Sequence, residues 1–299
     1  MSETALLLGH TRSLVGIMTD SSEAEGRNDL PGIILLNAGI VHRVGPNRLY
    51  VKLARNLAAS GFTVLRFDFS GIGDSAVRDD HLPYTKSAVS ETQAAMNYLQ
   101  ATKGIQRFVL MGICSGALVS FNAACCDARV VGAVLINSWG HLHDLDDHDF
   151  NSYIRTRALA RHYWRIALFS SFRTKNWLKA LTGKVNYRTI VPVMMGSRLK
   201  GLFTRGTRDP SVVLHTEGDL RRLAERGVRL LHVYSEGDEG LDYFQMMVGN
   251  RLREWSTSGL LEVEIIRGAN HTFTLLWSQE HLVRLICNWA QAMAHEQGH

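Results

Sequence analysis

Apolar residues recur along the chain with two spacings that alternate. Short runs rich in Val, Ile, Leu and Phe predict eight strands, at residues 5–8, 13–18, 32–36, 62–67, 107–111, 130–136, 228–234 and 261–266. Between most of these runs, apolar residues three and four positions apart predict helices, at residues 46–60, 84–102, 115–127, 216–226, 241–256 and 272–296. This alternation predicts an α/β fold, in which helices cover both faces of a mostly parallel sheet. The first two strands have no helix between them, so we expect an antiparallel hairpin at one edge.

The alternation is interrupted once, between residues 138 and 215. A loop of that length without structure of its own is uncommon in a compact domain. The spacing of apolar and basic residues over positions 153–181 predicts two helices there. We therefore divide the chain into an α/β core, residues 1–138 and 216–299, and an inserted helical lid, residues 139–215.

Charge is distributed unevenly over the 299 residues. The net charge is +5, yet residues 150–208 contain 13 Lys and Arg and no Asp or Glu, which leaves 20 basic and 28 acidic residues in the remainder. A basic segment in an acidic body points to an anionic partner. Because no nucleic-acid-binding module surrounds its aromatic and basic residues, we interpret Arg161, Trp164 and Arg165 as candidates for binding an anionic group of a substrate.

Several features bear on the compartment. No run approaches the ~18 consecutive apolar residues of a membrane-spanning helix, and residues 1–20 lack the basic start and apolar core of a secretory signal. The four cysteines, of which Cys125 and Cys126 are adjacent, do not suggest a disulfide framework. We expect a cytoplasmic protein with no membrane span. The oligomeric state is left open.

The strongest chemical signal is the segment Gly112-Ile113-Cys114-Ser115-Gly116, which follows a predicted strand and opens a predicted helix. A turn this sharp strains its central residue and accepts little except glycine at its flanks. It presents only the central side chain to a cleft, so Cys114 is the candidate nucleophile. A helix N-terminus and a neighbouring histidinium both favour the thiolate, the reactive form. The competing interpretation is a small buried cysteine in a glycine-rich turn.

Two later segments supply candidates for a base and an acid. His271 follows the last predicted strand and is the candidate general base. Asp238, in the loop after the seventh strand, could accept the imidazole Nδ1–H and stabilise the imidazolium. Asp242 is the alternative acid, although its position at the start of a predicted helix also suits a capping or dipole role.

Backbone amides complete the candidate site. The third predicted strand ends in Asn37-Ala38-Gly39-Ile40. A tight turn there would direct the N–H of Ile40 toward the elbow, which is the sharp turn at residues 112–116. Together with the N–H of Ser115, it would form an oxyanion hole.

These segments carry a resemblance to a known family. The chain resembles α/β-hydrolases of the serine aminopeptidase-like group, close to hydrolases found beside exosortase systems. Two further segments support the resemblance: the turn Asp68-Phe69-Ser70-Gly71-Ile72-Gly73-Asp74-Ser75, and Gly45-Pro46-Asn47-Arg48, which leads into a predicted helix. The resemblance covers roughly residues 30–138 and 215–295 and implies the α/β-hydrolase fold, but it says little about substrate.

Two departures from that group change the expected chemistry. Asn37-Ala38 stands where many relatives carry His-Gly, and Cys114 stands where they carry serine. Cysteine in the elbow also resembles dienelactone hydrolases and thioester-handling acyl and aminoacyl transferases. Aminopeptidase activity is therefore not implied.

We expect no cofactor and no metal. The run His141-Leu142-His143-Asp144-Leu145-Asp146-Asp147-His148-Asp149 is one residue out of register with a known metal motif, and Gly71-Ile72-Gly73 lacks the third glycine of a dinucleotide site.

Three functional hypotheses remain. The first is hydrolysis of an ester or thioester with an anionic handle, through an acyl-cysteine. The second is acyl or aminoacyl transfer from a coenzyme A or carrier-protein thioester, with an acidic acyl carrier protein as partner. The third is a non-catalytic binding or redox-sensing protein. We expect no nucleic-acid partner.

Overall fold

The computed structural model describes residues 1–9, 11–21, 30–138, 210–248, 259 and 261–296. Its strands are β1 (Ser2–Leu8), β2 (Leu14–Asp20), β3 (Gly32–Leu36), β4 (Val64–Phe67), β5 (Phe108–Ile113), β6 (Val130–Ile136), β7 (Arg229–Ser235) and β8 (Leu261–Ile266). Its helices are a 3-10 turn (Pro46–Arg48), α1 (Leu49–Ala59), α2 (Tyr84–Lys103), α3 (Ser115–Cys126), α4 (Pro210–Glu225), α5 (Glu239–Val248) and α6 (Leu276–Glu296). Each predicted strand and each of the six helices predicted between them is present, with shifts at several ends. The two helices predicted over residues 153–181 lie outside the described residues.

All eight strands form one sheet, in the order β1-β2-β4-β3-β5-β6-β7-β8. The predicted antiparallel hairpin of β1 and β2 is confirmed, and β2 also runs antiparallel to β4. The remaining neighbours are parallel. The predicted α/β fold with a mostly parallel sheet is therefore confirmed.

Helices cover the sheet on both faces, and the alternation of side chains along the strands explains why. In β3, Ile34 and Leu36 belong to the apolar cluster that contains residues of α2 and α3, whereas Ile33 and Leu35 belong to the cluster that contains residues of α1 and α6. A strand buried on both faces reads as a continuous apolar run rather than an alternating one, as the central strands do here.

Contacts divide the chain into two units. The first comprises Met1–His141 and Thr216–His299 and contains the eight strands of the described residues. The second comprises Leu142–His215, and nearly all of it lies outside the described residues, so the helical lid at residues 139–215 stays a prediction. Among the described residues, no helix combines the length and apolar composition needed to cross a membrane.

The candidate site lies where the parallel strands end. Because β3, β5, β7 and β8 are parallel, their carboxyl ends meet at one edge of the sheet. Gly39, Cys114, Asp238 and His271 each follow one of these strands closely.

Candidate active site

Cys114 lies at a strained turn between β5 and α3. Its backbone has φ 57° and ψ −116°, which is unusual for a residue with a side chain. The N–H of Cys114 donates to the carbonyl of Ile136 at 2.9 Å, which ties the turn to β6. A Cβ on Gly112 would overlap the backbone of Gly116, and a Cβ on Gly116 would overlap the carbonyl oxygen of Asn37. Both glycines are therefore required by close backbone packing, and the sharp turn expected from the sequence is present.

His271 joins the other two predicted catalytic side chains. Its Nδ1 lies 2.6 Å from Oδ2 of Asp238, and its imidazole also hydrogen-bonds to the side chain of Cys114. The hydrogen bond with Asp238, followed by that with Cys114, raises the pKa of His271 from 6.5 to about 10, although burial opposes the shift. The structure thus brings Cys114, His271 and Asp238 into one row.

Of the two candidate acids, Asp238 is the one that meets His271. Its side chain is 3 % exposed, and its Oδ1 accepts the N–H of Gly240 at 2.9 Å, which leaves Oδ2 directed to the imidazole. Asp242 is half-buried in the first turn of α5.

Asn137, which was not among the predicted site residues, holds this arrangement together. It is fully buried with φ 46° and follows the last residue of β6. Its Nδ2 donates to the carbonyl of His271 and its Oδ1 accepts the N–H of Ser235, both at 2.7 Å. Asn137, itself in the loop after β6, therefore connects the end of β7 to the loop after β8. The available signal was an asparagine directly after a buried strand, because asparagine tolerates a positive φ.

The loop after β3 approaches the start of α3. The N–H of Gly39 donates to Oγ of Ser115 at 2.7 Å. A tight turn, in which Val41 N–H donates to the carbonyl of Ala38 at 3.0 Å, and a φ of 56° at Gly39 direct this amide. The loop amide that contacts Ser115 is thus that of Gly39, one residue before Ile40, whose amide was predicted for the oxyanion hole. Ile40 itself is 93 % exposed.

A family model described as serine aminopeptidase, S33 (Hydrolase_4) matches residues 32–223, which is more than half of the chain. The chain belongs to this family of α/β-hydrolases. The match runs from β3 into α4 and includes the elbow with Cys114, but it ends before Asp238 and His271. Those two residues are therefore placed by the geometry of this hydrolase rather than by the family match.

Comparisons with individual proteins agree on the fold. The hydrolase is 32 % identical to the human Protein ABHD12B over 125 residues, which are 39 % of this chain and 33 % of that protein, so the match spans about a third of the relative's length. An esterase of Pyrococcus furiosus matches with a TM-score of 0.56 at 14 % identity, covering 98 % of this chain and 90 % of that chain. An alpha-beta serine hydrolase homologue from Coxiella burnetii matches with a TM-score of 0.54 at 16 % identity, covering 96 % of this chain and 98 % of that chain. The thioesterase domain from the curacin biosynthetic pathway matches with a TM-score of 0.51 at 14 % identity, covering 96 % of this chain and 99 % of that chain. At these identities the solved structures show the shared fold.

A buried carboxylate fixes the loop that carries Gly39. Asp68 of the hydrolase is fully buried and accepts hydrogen bonds from the main-chain N–H and guanidinium of Arg43 and, at 3.3 Å, from Nδ2 of Asn37. The guanidinium of Arg43 also pairs with Asp74, and a Cβ on Gly73 would overlap the Asp68 carboxylate. Asn37 thus contributes to the geometry of this loop through Asp68.

Tyr50 stabilises the strand end that leads into the elbow. Its fully buried hydroxyl donates to the carbonyl of Leu36 at 2.8 Å and accepts the N–H of Ile113 at 3.1 Å. It therefore bridges β3 and β5 at the residue before Cys114. The sequence offered no signal for this role, because a tyrosine on the apolar face of a helix is usually part of the core.

The predicted substrate-binding residues Arg161, Trp164 and Arg165, and the histidine-rich run at 141–149, lie outside the described residues. Within the residues that the structure describes, no group of three or more His, Cys, Asp or Glu side chains is arranged to hold a metal ion.

Proposed function

We propose that this hydrolase cleaves an ester or thioester through an acyl-cysteine intermediate on Cys114. The observation that carries the proposal is the position of His271, which hydrogen-bonds to Cys114 on one side and to Asp238 on the other. A histidine held in this way can take a proton from a nucleophile and return it to a leaving group. Asp238 would fix the imidazole tautomer and stabilise the imidazolium.

The reaction follows from this geometry. The thiolate of Cys114 attacks the carbonyl carbon, and the carbonyl oxygen takes the negative charge near the N-terminus of α3, where the N–H of Ser115 and an amide of the turn after β3 stabilise it. The sequence indicates Ile40 for the second amide, whereas the contact with Ser115 favours Gly39. The carbon–oxygen or carbon–sulfur bond of the leaving group then breaks, and His271 gives the leaving group its proton.

Hydrolysis of the intermediate returns the enzyme to its first state. Water attacks the acyl-cysteine while His271 accepts a proton from it, and the carbon–sulfur bond to Cys114 breaks as the carboxylic acid forms. The thiolate and the imidazolium are then restored. Because the four cysteines are all free and Cys114 must stay reduced, we place this reaction in the reducing cytoplasm.

The sulfur nucleophile and the basic segment favour a thioester substrate with an anionic handle. Acyl exchange between two thiols forms a bond of the same kind as the bond it breaks, so acylation of Cys114 by a thioester costs little. The 13 basic residues at 150–208, among them Arg161 and Arg165, would meet the phosphate of coenzyme A or of an acyl carrier protein, and Trp164 would pack beside it.

Acyl transfer is the second candidate, and the cysteine itself favours it. An acyl-cysteine reacts more readily with amines and thiols than an oxygen ester does, so an amine, alcohol or carrier thiol could replace water in the second step. Transfer and hydrolysis share the same first step and differ only in what removes the acyl group.

Intact-protein mass spectrometry tests the proposal. The hydrolase is mixed with a panel of acyl esters and acyl-thioesters, and the Cys114→Ala variant is compared with Cys126→Ala, which removes an exposed cysteine at the far end of α3. We expect an acyl adduct in the parent and in Cys126→Ala that Cys114→Ala lacks. Decay of the adduct in water alone supports hydrolysis, and decay that needs an added amine or thiol supports transfer. An unmodified Cys114 across the panel would favour a binding or redox-sensing role.

A further inference from the structure

The last residue of β6 and the residue after it contact all three segments that carry the proposed catalytic side chains. The carbonyl of Ile136 accepts the N–H of Cys114 at 2.9 Å. The side chain of Asn137 donates to the carbonyl of His271 and accepts the N–H of Ser235, both at 2.7 Å. Two neighbouring positions therefore connect to the nucleophile, to the base and to the strand end that leads to the acid.

The contact with Ser235 closes a ring of hydrogen bonds. The carbonyl of Ser235 accepts the N–H of Asp238 at 3.1 Å, and Oδ2 of Asp238 lies 2.6 Å from Nδ1 of His271. The ring runs from Asn137 through Ser235 and Asp238 to His271, and it returns to Asn137 through the His271 carbonyl. Asp238 and His271 are therefore fixed at the main chain as well as through their side chains.

Asparagine suits this position for three reasons. A carboxamide presents a donor and an acceptor side by side, and Asn137 uses both. Because an N–H can only donate and a carbonyl can only accept, its two partners fix which way the carboxamide faces. Asparagine also tolerates the φ of 46° found here. Asn137 is fully buried, so a partner that lost its bond would be left unsatisfied away from water.

We propose that Asn137 is a positioning residue, which holds the main chain at His271 so that the imidazole stays within reach of both Cys114 and Asp238. The inference deepens the proposed function and rests on it, because it takes His271 as the base that serves Cys114. The bonded carbonyl belongs to His271 itself. A shift of this carbonyl would therefore move the imidazole with it, and Asn137 would affect the reaction through His271 alone.

Proton transfer makes the position of this imidazole critical. A general base must lie within about 2.6–3.2 Å of the atom whose proton it takes. A misplacement of about 1 Å can lower a rate about 10²-fold. The side chain of His271 is 37 % exposed, so neighbouring atoms enclose it only in part. Contacts on its buried side, from Asp238 and Asn137, must therefore supply the precision.

The test uses alkylation of Cys114 by iodoacetamide, followed by peptide mapping, because this reaction needs the base but no acyl substrate. Asn137→Gly accepts the positive φ and removes both side-chain bonds. At neutral pH we expect it to slow alkylation about tenfold or more, toward the rate of His271→Ala. In the His271→Ala background the same change should alter the rate by less than about twofold, because Asn137 acts through His271. A merely structural role would lower the rate in both backgrounds.

Asn137→Asp provides a second readout that a structural role would not move. A carboxylate still accepts the N–H of Ser235, but it cannot donate to the carbonyl of His271, whereas a protonated carboxyl can. Burial raises the pKa of a carboxyl, so the ratio of variant to parent alkylation rates should rise as the pH falls from about 8 to about 5. This recovery of the missing donor also keeps the proposal testable if Asn137→Gly does not fold.

Asn122→Asp is the matched control, because Asn122 is also buried and lies about two turns beyond Ser115 in α3. Its folded protein should be alkylated like the parent, with a rate ratio that does not rise at low pH. Parent-like alkylation of Asn137→Gly would overturn the proposal. So would equal losses in the parent and His271→Ala backgrounds, or an Asn137→Asp ratio that stays constant with pH.

The same measurements separate this inference from the proposed function. If alkylation depends on both Asn137 and His271 but the acyl panel leaves Cys114 unmodified, the inference stands and the ester or thioester chemistry is wrong. If His271→Ala is alkylated as fast as the parent, His271 does not serve Cys114, and both proposals are wrong.

Discussion

The carboxylate of Asp238 and the imidazole of His271 meet at 2.6 Å between Oδ2 and Nδ1, although 33 positions separate them along the chain. The Asp238 side chain is 3 % exposed and that of His271 is 37 % exposed. The imidazole is therefore held from its buried side, and its other nitrogen remains available for Cys114. The hydrogen bonds with Asp238 and then Cys114 raise the pKa of His271 to about 10, so the proton stays on His271 in the resting protein.

Replacement of this acid should impair catalysis strongly. We expect Asp238→Asn to lower kcat about 10²–10⁴-fold, because the amide cannot stabilise the imidazolium and favours the wrong tautomer. The matched control is Asp242→Asn, which changes the alternative acid in the first turn of α5 and should leave kcat within about threefold. Steady-state kinetics on the best ester from the adduct screen provide the measurement. Equal losses in both variants would contradict the assignment of the acid.

The raised pKa of His271 predicts a specific dependence of stability on pH. The folded-state pKa is about 10 and the ordinary value is 6.5, so the stabilisation is present in full below pH 6.5 and is lost as pH rises toward 10. The difference in free energy of unfolding between the parent and His271→Gln should therefore shrink across this window. Urea titrations at about pH 6, 8 and 10 measure it. Because Asp238 is the largest cause of the shift, the same comparison in an Asp238→Asn background should be much flatter; a difference that grows with pH would contradict the sign.

The hydrogen bond between His271 and Cys114 predicts how the thiol reacts. In the parent, Cys114 should react readily with iodoacetamide near neutral pH, because the imidazole of His271 can take the proton of the thiol. His271→Ala removes this base and should slow the alkylation of Cys114 at neutral pH. Peptide mapping after timed alkylation separates Cys114 from the exposed Cys126, which serves as an internal reference. Identical profiles in both proteins would show that the two side chains do not act as a pair.

The order of strands and helices could be predicted because each central strand is a short apolar run with a helix pattern beside it. The antiparallel hairpin followed from the missing helix between β1 and β2. The start of α4 was placed six residues late, at 216 instead of Pro210. Proline suits the first turn of a helix, where its missing N–H costs nothing, and that signal was available.

Details of the site depended on backbone geometry that the sequence alone leaves open. Asp238 and Asp242 both follow β7, and only the path of the chain into α5 shows which of them meets His271. A glycine turn can direct any of several amides, and the sequence does not show that the amide of Gly39, with its φ of 56°, is the one that donates to Ser115. The role of Asn137 depends on its own positive φ, which residue type permits but does not require.

The elbow should tolerate no side chain at Gly112. A Cβ there would overlap the backbone of Gly116 across the turn, and neither backbone segment can move without displacing β5 or α3. We expect Gly112→Ala to destabilise the fold by about 1–3 kcal/mol or more, the usual cost of overpacking a well-packed region, and to reduce acylation of Cys114 beyond the loss of folded protein. Gly218→Ala is the matched control, because Gly218 lies in α4 with open space around its Cα, and alanine in a helix is favoured by about 0.5–1 kcal/mol. Urea denaturation of both variants decides the matter. A Gly112→Ala protein as stable and as readily acylated as the parent would mean that the turn is looser than its close packing indicates.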